Sequence, residues 1–298
     1  MTVDTIAVTG GNGKIGEAII AHLNEYGYET ANIARGKQRE DVSDRYITTD
    51  LLDAGEVYGA LAKVDADAVI HMGTIPDPYS NPDYRVYESN VLSAKHIMEA
   101  AESLGLESVV LPSSINAIGS EHQERPADVR YVPLDENHPR TPDDPYGIAK
   151  HAMEVTADGF ARRPSTDISI ASIRYPWVTT EAEMREYFLE PDRSLDVLDD
   201  VHPATGRDVL FSYLAMPDAA SIARRAVAAD FDGHEVFWAV AGDTTADAPT
   251  EELVAEFYPD AEARRALEGH EAILGLSKAA TLLGWEPEHS WRDLENDG

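Results

Sequence analysis

A chain of 298 residues, 43% of them hydrophobic, is long and apolar enough to bury a sizeable core as one large domain or two small ones. Its 55 Asp and Glu against 24 Lys and Arg leave a formal net charge of -31 spread along the whole chain, which points to a salt-adapted protein of the halophilic type and argues against nucleic acid or anionic membranes as partners. Cysteine is absent, excluding disulfides, thiolate nucleophiles and Cys-ligated metals, and with neither a signal-peptide pattern nor an apolar run near the roughly 18 residues of a membrane span, a soluble cytoplasmic protein is expected.

The first apolar run, Thr5 to Thr9, enters a turn with glycines at 10, 13 and 16 and passes into a periodic apolar segment from Ile15 through Leu23. That order is strand, glycine turn, helix. Gly10 suits a tight turn, Gly13 a close approach of backbone to a pyrophosphate, and Gly16 close packing of helix on strand. The helix N-terminus offers free N–H groups to the phosphates. Glu29 to Ala34 and Arg45 to Thr49 read as the second and third strands, and Ala68 to Met72 as a buried parallel fourth. A loop rich in Pro and Tyr, Ile75 to Tyr87, precedes a helix from about Val91 to Leu104. Ser108 to Leu111 is the fifth strand, ending in Pro112-Ser113-Ser114. After a polar loop, Glu121 to Pro145, come a helix from Tyr146 to about Arg162 and a sixth strand, Asp167 to Ile173.

Past Trp177 the alternation stops. Thr180 to Arg207 is acidic and irregular, as expected of a lid or small lobe. Ala219 to Ala229 reads as a helix, Glu235 to Ala241 as a strand that rejoins the sheet, and Thr250 to Tyr258 as a helix with a Thr cap and early Glu residues. Leu276 to Trp291 is a short helix and an ordered tail. The chain is therefore expected to be α/β, a doubly wound parallel sheet of the Rossmann type with ligands at the carboxyl ends of its strands. Residues 1–178 form the dinucleotide-binding domain in this reading, and residues 179–298 mainly a small C-terminal substrate lobe.

Tyr146 and Lys150 stand at i and i+4 near a helix start and project from one face, while Ser114 lies at the carboxyl end of a strand. These types suit hydride transfer at a carbonyl carbon. A phenol with a reference pKa of about 10 is a poor base at neutral pH, but a neighbouring ammonium favours its phenolate. A serine hydroxyl holds the same substrate oxygen beside it. Singly, each has a bland reading: a surface pair on a helix, a turn at a strand end. Their order behind a nucleotide-binding turn points to catalysis.

At these residues the chain resembles the extended short-chain dehydrogenase/reductase family over nearly its whole length. The resemblance rests on Thr9 through Gly16, Asp50-Leu51, Asp67 through Gly73, Asn90 in Ser89-Asn90-Val91, Ser113-Ser114, and Tyr146-Gly147-Ile148-Ala149-Lys150. It implies that Tyr146 is the acid/base, that Ser114 orients the substrate oxygen, and that Lys150 holds the cofactor ribose while tuning Tyr146. Gly10, Asn12, Gly13, Lys14, Ile15 and Gly16 would cradle the pyrophosphate, Asp50 and Leu51 the adenine, with Met72, Gly73 and Asn90 along the cofactor. The segment Arg174-Tyr175-Pro176-Trp177-Val178 would approach the nicotinamide carboxamide, Arg174 also serving the substrate.

Charge bears on which nicotinamide cofactor is used. Ala34 stands where NAD-preferring relatives carry an acid for the ribose hydroxyls, and Arg35-Gly36-Lys37 follows in a chain with only six lysines. An Arg there suits a 2′-phosphate, which no acid at Ala34 repels. NADP is expected before NAD; in the alternative, Arg35 and Lys37 only decorate a loop and both bind.

The family contains free-sugar dehydrogenases, nucleotide-sugar epimerases and dehydratases, and carbonyl reductases. Tyr175-Pro176-Trp177-Val178-Thr179-Thr180 departs from the Asn-rich stretch of nucleotide-sugar enzymes, whereas Gly206-Arg207-Asp208-Val209 resembles a segment whose Arg binds a nucleotide-sugar phosphate; Arg207 reads equally as a surface ion-pair partner. His71-Met72-Gly73-Thr74 and the loop from Pro76 to Tyr87 look like those of uronate and aldose dehydrogenases. Thr74 and Asn116, with Tyr79 and Tyr213, are candidates to line a polyol pocket, and the histidines show no metal-ligand spacing, so no metal is expected. The leading expectation is an NADP-preferring sugar dehydrogenase acting at C1 of an aldose, pentose or uronate. The alternatives are a nucleotide-sugar epimerase or dehydratase with tightly bound NAD(P), and a non-catalytic NADP sensor. The apolar and alanine-bearing outer faces of the helices near Val91 and Tyr146 point to a homodimer, as in relatives.

Overall fold

The structure, a computed structural model, describes residues 3–36, 42–164, 167–200 and 203–297. Seven strands are recruited in the order that the apolar runs suggest: β1 (Thr5–Thr9), β2 (Glu29–Ala34), β3 (Arg45–Thr48), β4 (Ala68–His71), β5 (Ser108–Ser114), β6 (Ser169–Tyr175) and β7 (His234–Trp238). They form one parallel sheet ordered β3-β2-β1-β4-β5-β6-β7. Because β1 lies between β2 and β4, the chain reverses winding direction there and opens a crevice at the carboxyl ends, where such sheets bind ligands. The last strand returns from beyond the irregular segment and pairs Trp238 with Arg174, so the sheet is closed at that edge by the C-terminal part of the chain.

Five long helices cover the two faces: α1 (Lys14–Glu25), α2 (Ala54–Val64), α3 (Ser93–Leu104), α4 (Pro145–Ala161) and α5 (Met216–Ala228). Ile19, Ile20 and Leu23 of α1 join Ile222, Ala223 and Ala226 of α5 in one core, and Val57, Leu61, Ile97, Ala101, Met153 and Phe160 build the core on the opposite face. Helix α2 is absent from the expectations above, although Asp53 caps it through the Gly55 and Glu56 N–H groups and Val57, Leu61 and Val64 mark its buried stripe.

Two further differences have local causes. Strand β5 runs three residues past the expected end because Pro112 lies beyond the last β4 pair, Ile70–Val110, where its missing N–H is not called on. Thr250 opens the helix Thr250–Phe257 but does not cap it: Pro249 is the N-cap, and the Thr250 hydroxyl donates instead to the Glu271 carbonyl (2.6 Å). No helix among the described residues is long and apolar enough to cross a membrane.

Candidate active site

A cavity of about 690 Å³ opens along the carboxyl ends of the strands, within the size range of ligand sites. One end is the glycine turn. Gly10, with φ +69°, passes so close to the next crossing that a Cβ there would sit 2.7 Å from the Gly73 backbone. Thr9 Oγ1 accepts from the Gly73 N–H (3.2 Å) and is bonded to the buried His71 ring (2.6 Å), whose other nitrogen meets Ser93 Oγ (3.0 Å). Burial, aided by the charge of Lys150, lowers His71 to about 3, so this brace is a neutral imidazole. The first intrahelical bond of α1 is Glu17 N–H to the Gly13 carbonyl, and Gly13 brings no side-chain cap. The N–H groups of Lys14, Ile15 and Gly16 are therefore left as donors toward the cavity, an arrangement that fits a dinucleotide pyrophosphate.

The other end is built where β5 meets α4. Asp144 caps α4 through the Tyr146 and Gly147 N–H groups, and Pro145 fixes its first turn, so Tyr146 and Lys150 enter the cavity on one face. Ser114 Oγ accepts from the Asn116 N–H (3.2 Å) and leaves its proton for another partner. Burial pushes the Tyr146 phenol well above its ordinary value, a hydrogen bond with Ser114 pulls it back, and the charges of Glu121 and Asp144 push it further up. The Lys150 ammonium donates to the Pro112 carbonyl (2.6 Å) and to Thr74 Oγ1 (3.4 Å), 5.2 Å from the centre of the Tyr146 ring. Its burial lowers it to about 7 while Glu154 opposes the shift.

The cavity gathers Gly10, Asn12, Gly13, Lys14, Ile15, Gly16, Arg35, Leu51, Met72, Gly73, Thr74, Ser114, Asn116, Tyr146, Lys150, Tyr175, Pro176 and Val178 from the residues named on the sequence. Lys37 lies outside the described residues. Within the cradle, Asn12 Oδ1 accepts from Asn32 and its amide donates to Tyr46, so Asn12 shapes the loop. Lys14 crosses the cavity mouth to Glu183 (2.5 Å) and the Val178 carbonyl (3.3 Å).

Tyr79 is exposed outside the lining and Tyr213 is buried away from it, its hydroxyl donating to Asp243 (2.6 Å), and four further residues stand elsewhere. Arg174 is fully buried and clamps Glu154 with two bonds of 2.8 Å, so its expected contact with substrate is corrected: the guanidinium joins β6 to α4 behind the site. Arg207 lies outside the cavity lining, half exposed and 3.7 Å from Asp208, which is the ion-pair alternative. Asn90 is buried and donates to the Ile75 carbonyl, holding the loop above the cofactor groove instead of lining it. Asp50 accepts from the Leu52 N–H at the rim, and only Leu51 of that pair faces the cavity. The sequence reading missed Glu121, His122, Pro76 and Ala204, which also line it. They lie in loops without periodicity, and only the cluster of polar types around 121–123 marks them in the sequence. Among the described residues, no group of three His, Asp or Glu is placed to hold a metal.

Fold and site together define a dinucleotide-binding α/β protein with a Ser, Tyr and Lys at the reactive end. The model of the NAD dependent epimerase/dehydratase family matches residues 6–183, and the chain belongs to this family. A putative UDP-glucose 4-epimerase of Methanocaldococcus jannaschii is 30% identical over 155 residues, 50% of this chain and 48% of that protein, so the match spans about half the relative's length. An NAD-dependent glucose-6-phosphate dehydrogenase of Haloferax volcanii is 30% identical over 197 residues, 61% of this chain and 71% of the relative. Among solved structures, a mutated uronate dehydrogenase superposes with a TM-score of 0.68 at 22% identity, covering 99% of this chain and 86% of that one, a likeness of fold.

Proposed function

We propose that the protein is an NADP-preferring dehydrogenase that oxidises C1 of a free sugar to a lactone. The observation that carries this reading is the convergence of Ser114, Tyr146 and Lys150 on one wall of a cavity whose other end is the glycine turn, with Arg207 paired outside it. The cradle suits a nicotinamide dinucleotide, which when bound supplies the acceptor for the hydride that leaves C1. Ser114 and Tyr146 hold the C1 oxygen, and Tyr146 as phenolate takes the hydroxyl proton as the C–O bond becomes a carbonyl. Protonated Lys150 lies close enough to favour that phenolate. Arg35 at the end of β2, beside Ala34 and with no acid from that strand end in the lining, supports a 2′-phosphate.

One observation favours the second reading, an epimerase or dehydratase that retains its cofactor through turnover: the Lys14–Glu183 pair closes over the pyrophosphate end. The two separate in one assay in molar KCl. Net reduction of added NADP by free aldoses supports the dehydrogenase; product from UDP- or dTDP-sugars without net cofactor turnover overturns it. For NADP, Arg35→Ala is expected to raise the apparent KM about tenfold while leaving that for NAD nearly unchanged, and an unchanged KM for NADP refutes the assignment.

We further propose a soluble cytoplasmic homodimer. Tyr87, Ile148 and Val155 are exposed apolar side chains that share one shallow groove on the outer face of α4, a patch that a second copy covers through a two-fold contact. Val155→Glu is expected to shift the sedimenting species to monomer.

A further inference from the structure

The cavity is electrically polarised. Its two solvent-reaching cations, Lys14 and Arg35, lie at the dinucleotide end. At the reactive end the charged or titratable lining groups among the described residues are Glu121, His122, Tyr146, Lys150 and Tyr175. None of them offers a free positive charge to a substrate. Lys150 is spent on Pro112 and Thr74. The His122 ring is wedged edge-on between Tyr146 (5.5 Å) and Tyr79 (5.4 Å), its Nε2 turned toward the Glu121 carboxylate (3.8 Å) and its Nδ1 shut away from solvent. Arg174, buried on β6 next in sequence to the lining Tyr175, is neutralised by Glu154.

Glu121 is also held in place. Asn116 Oδ1 accepts from both Ser120 Oγ (2.6 Å) and the Glu121 N–H (2.8 Å). Gly119, with φ +84°, reverses the loop where a Cβ would meet the Thr141 carbonyl at 2.8 Å. The carbonyl of Asn116, expected to bind substrate, is thus used to aim its neighbour. The carboxylate that results lines the cavity and its charge acts on the Tyr146 hydroxyl, and Asp144 adds a second negative charge from the helix cap.

We propose that Glu121 is the specificity-determining residue of the site, accepting hydrogen bonds from the hydroxyls of a neutral aldose and excluding sugars that carry a carboxylate or phosphate. This rests on the C1-dehydrogenase reading and narrows its substrate class. Sugar hydroxyls are donors, and a carboxylate in the lining is a strong acceptor for them. An anionic sugar brings like charge up to the Glu121 carboxylate, with no described arginine or lysine free at the reactive end to meet it.

The test compares kcat/KM of the full-length protein in molar KCl for D-glucose, D-glucuronate and glucose 6-phosphate, with NADP and with NAD. The neutral sugar is expected to exceed both anionic ones at least tenfold. Glu121→Gln, which keeps the hydrogen-bonding shape without the charge, is expected to raise the glucuronate-to-glucose ratio about tenfold, a change in selectivity that a merely structural role does not produce. A wild-type preference for glucuronate or the 6-phosphate, or an unchanged ratio in Glu121→Gln with native circular dichroism, overturns the proposal and leaves the dehydrogenase reading standing. Oxidation of none of the three overturns both.

Discussion

The two parts of the chain on either side of residue 178 are stabilised by different means. Before it, strands and helices bury continuous apolar stripes, such as Ile6, Val8 and Ile70 against Ile19 and Leu23, and buried polar groups such as His71, Ser114 and Lys150 gather at the site. After it, apart from α5 and β7, regular elements are short, and long-range polar bonds join the pieces. Asp218 accepts from the Glu288 and His289 N–H groups, Asp243 accepts from Tyr213 and Ser290, and buried Arg193 donates to the carbonyls of Thr245 and Thr205. The first part fixes reactive groups by rigid packing. The second builds one wall of the same cavity, at Ala204, from segments that pack no long helix against it.

The largest effect should come from the rigid half. Tyr146→Phe removes the one hydroxyl able to move the substrate proton, so kcat is expected to fall about 10³-fold, within the range for general acid–base groups, with cofactor binding retained by fluorescence titration. Full activity in this variant would refute the proposed mechanism.

The next prediction sets the two halves against each other. Burial pushes the Glu154 carboxyl up, but Arg174, with Ser113 and Arg140, holds it below its ordinary value. Arg174→Met leaves that buried carboxylate with Arg140 as its one cation and Ser113 as a neutral donor, and breaking such a pair costs about 3–5 kcal/mol. Arg193 has only neutral acceptors, and its burial lowers it to about 10. Arg193→Met strands carbonyls and a hydroxyl, for about 1–3 kcal/mol. Urea melts at matched salt should rank them in that order. An Arg193→Met loss equal to that of Arg174→Met would mean the polar lobe is as demanding as the packed half.

Lys150 gives a third handle, through pH. Below about pH 7 folded and unfolded chains both carry its proton, and the cost of burying the ammonium is present in full. Between about 7 and the ordinary 10.5 the folded chain has released that proton while the unfolded chain keeps it, so the wild type gains stability as pH rises. Lys150→Met lacks this gain. The wild type's stability relative to the variant is expected to increase by about 2 kcal/mol from pH 7 to 9, at about 1.36 kcal/mol per pH unit. A flat difference would show that the buried amine titrates outside this window.

What was legible in the sequence follows the same division. The glycine turn, the parallel strands and the Tyr146–Lys150 spacing announce themselves because each is a local pattern of period or turn chemistry. Helix α2 was equally local in its Asp53 cap and its Val57, Leu61 and Val64 spacing, and was overlooked beside the stronger signals around it. Arg174 was misplaced because its neighbours in sequence point to the cofactor, while the partner that decides its role, Glu154, lies on another element. Glu121 and His122 sit in a loop whose shape depends on Asn116 and Gly119, and no periodicity reports on that. Beyond residue 178, pairs such as Asp218 with His289 are joined only by the fold.

The smallest predicted effect concerns the pin between the halves. Lys14 rises from the glycine turn to Glu183, which completes a capping box with Thr180 at the start of the lobe. Both side chains are partly exposed, and such pairs contribute about 0–1 kcal/mol; molar salt, screening over about 3 Å, reduces this further. Glu183→Gln is therefore expected to lower Tm by no more than about 2 °C, less still as KCl is raised. The pair nevertheless spans the mouth through which a dinucleotide passes, so the same substitution is expected to speed cofactor dissociation several-fold in stopped-flow fluorescence, most in low salt. Faster release with almost no stability loss separates a gate from a girder. A stability loss approaching that of Arg174→Met would instead make the pin part of the rigid half, and the contrast between the two regions would end at residue 183 instead of residue 178.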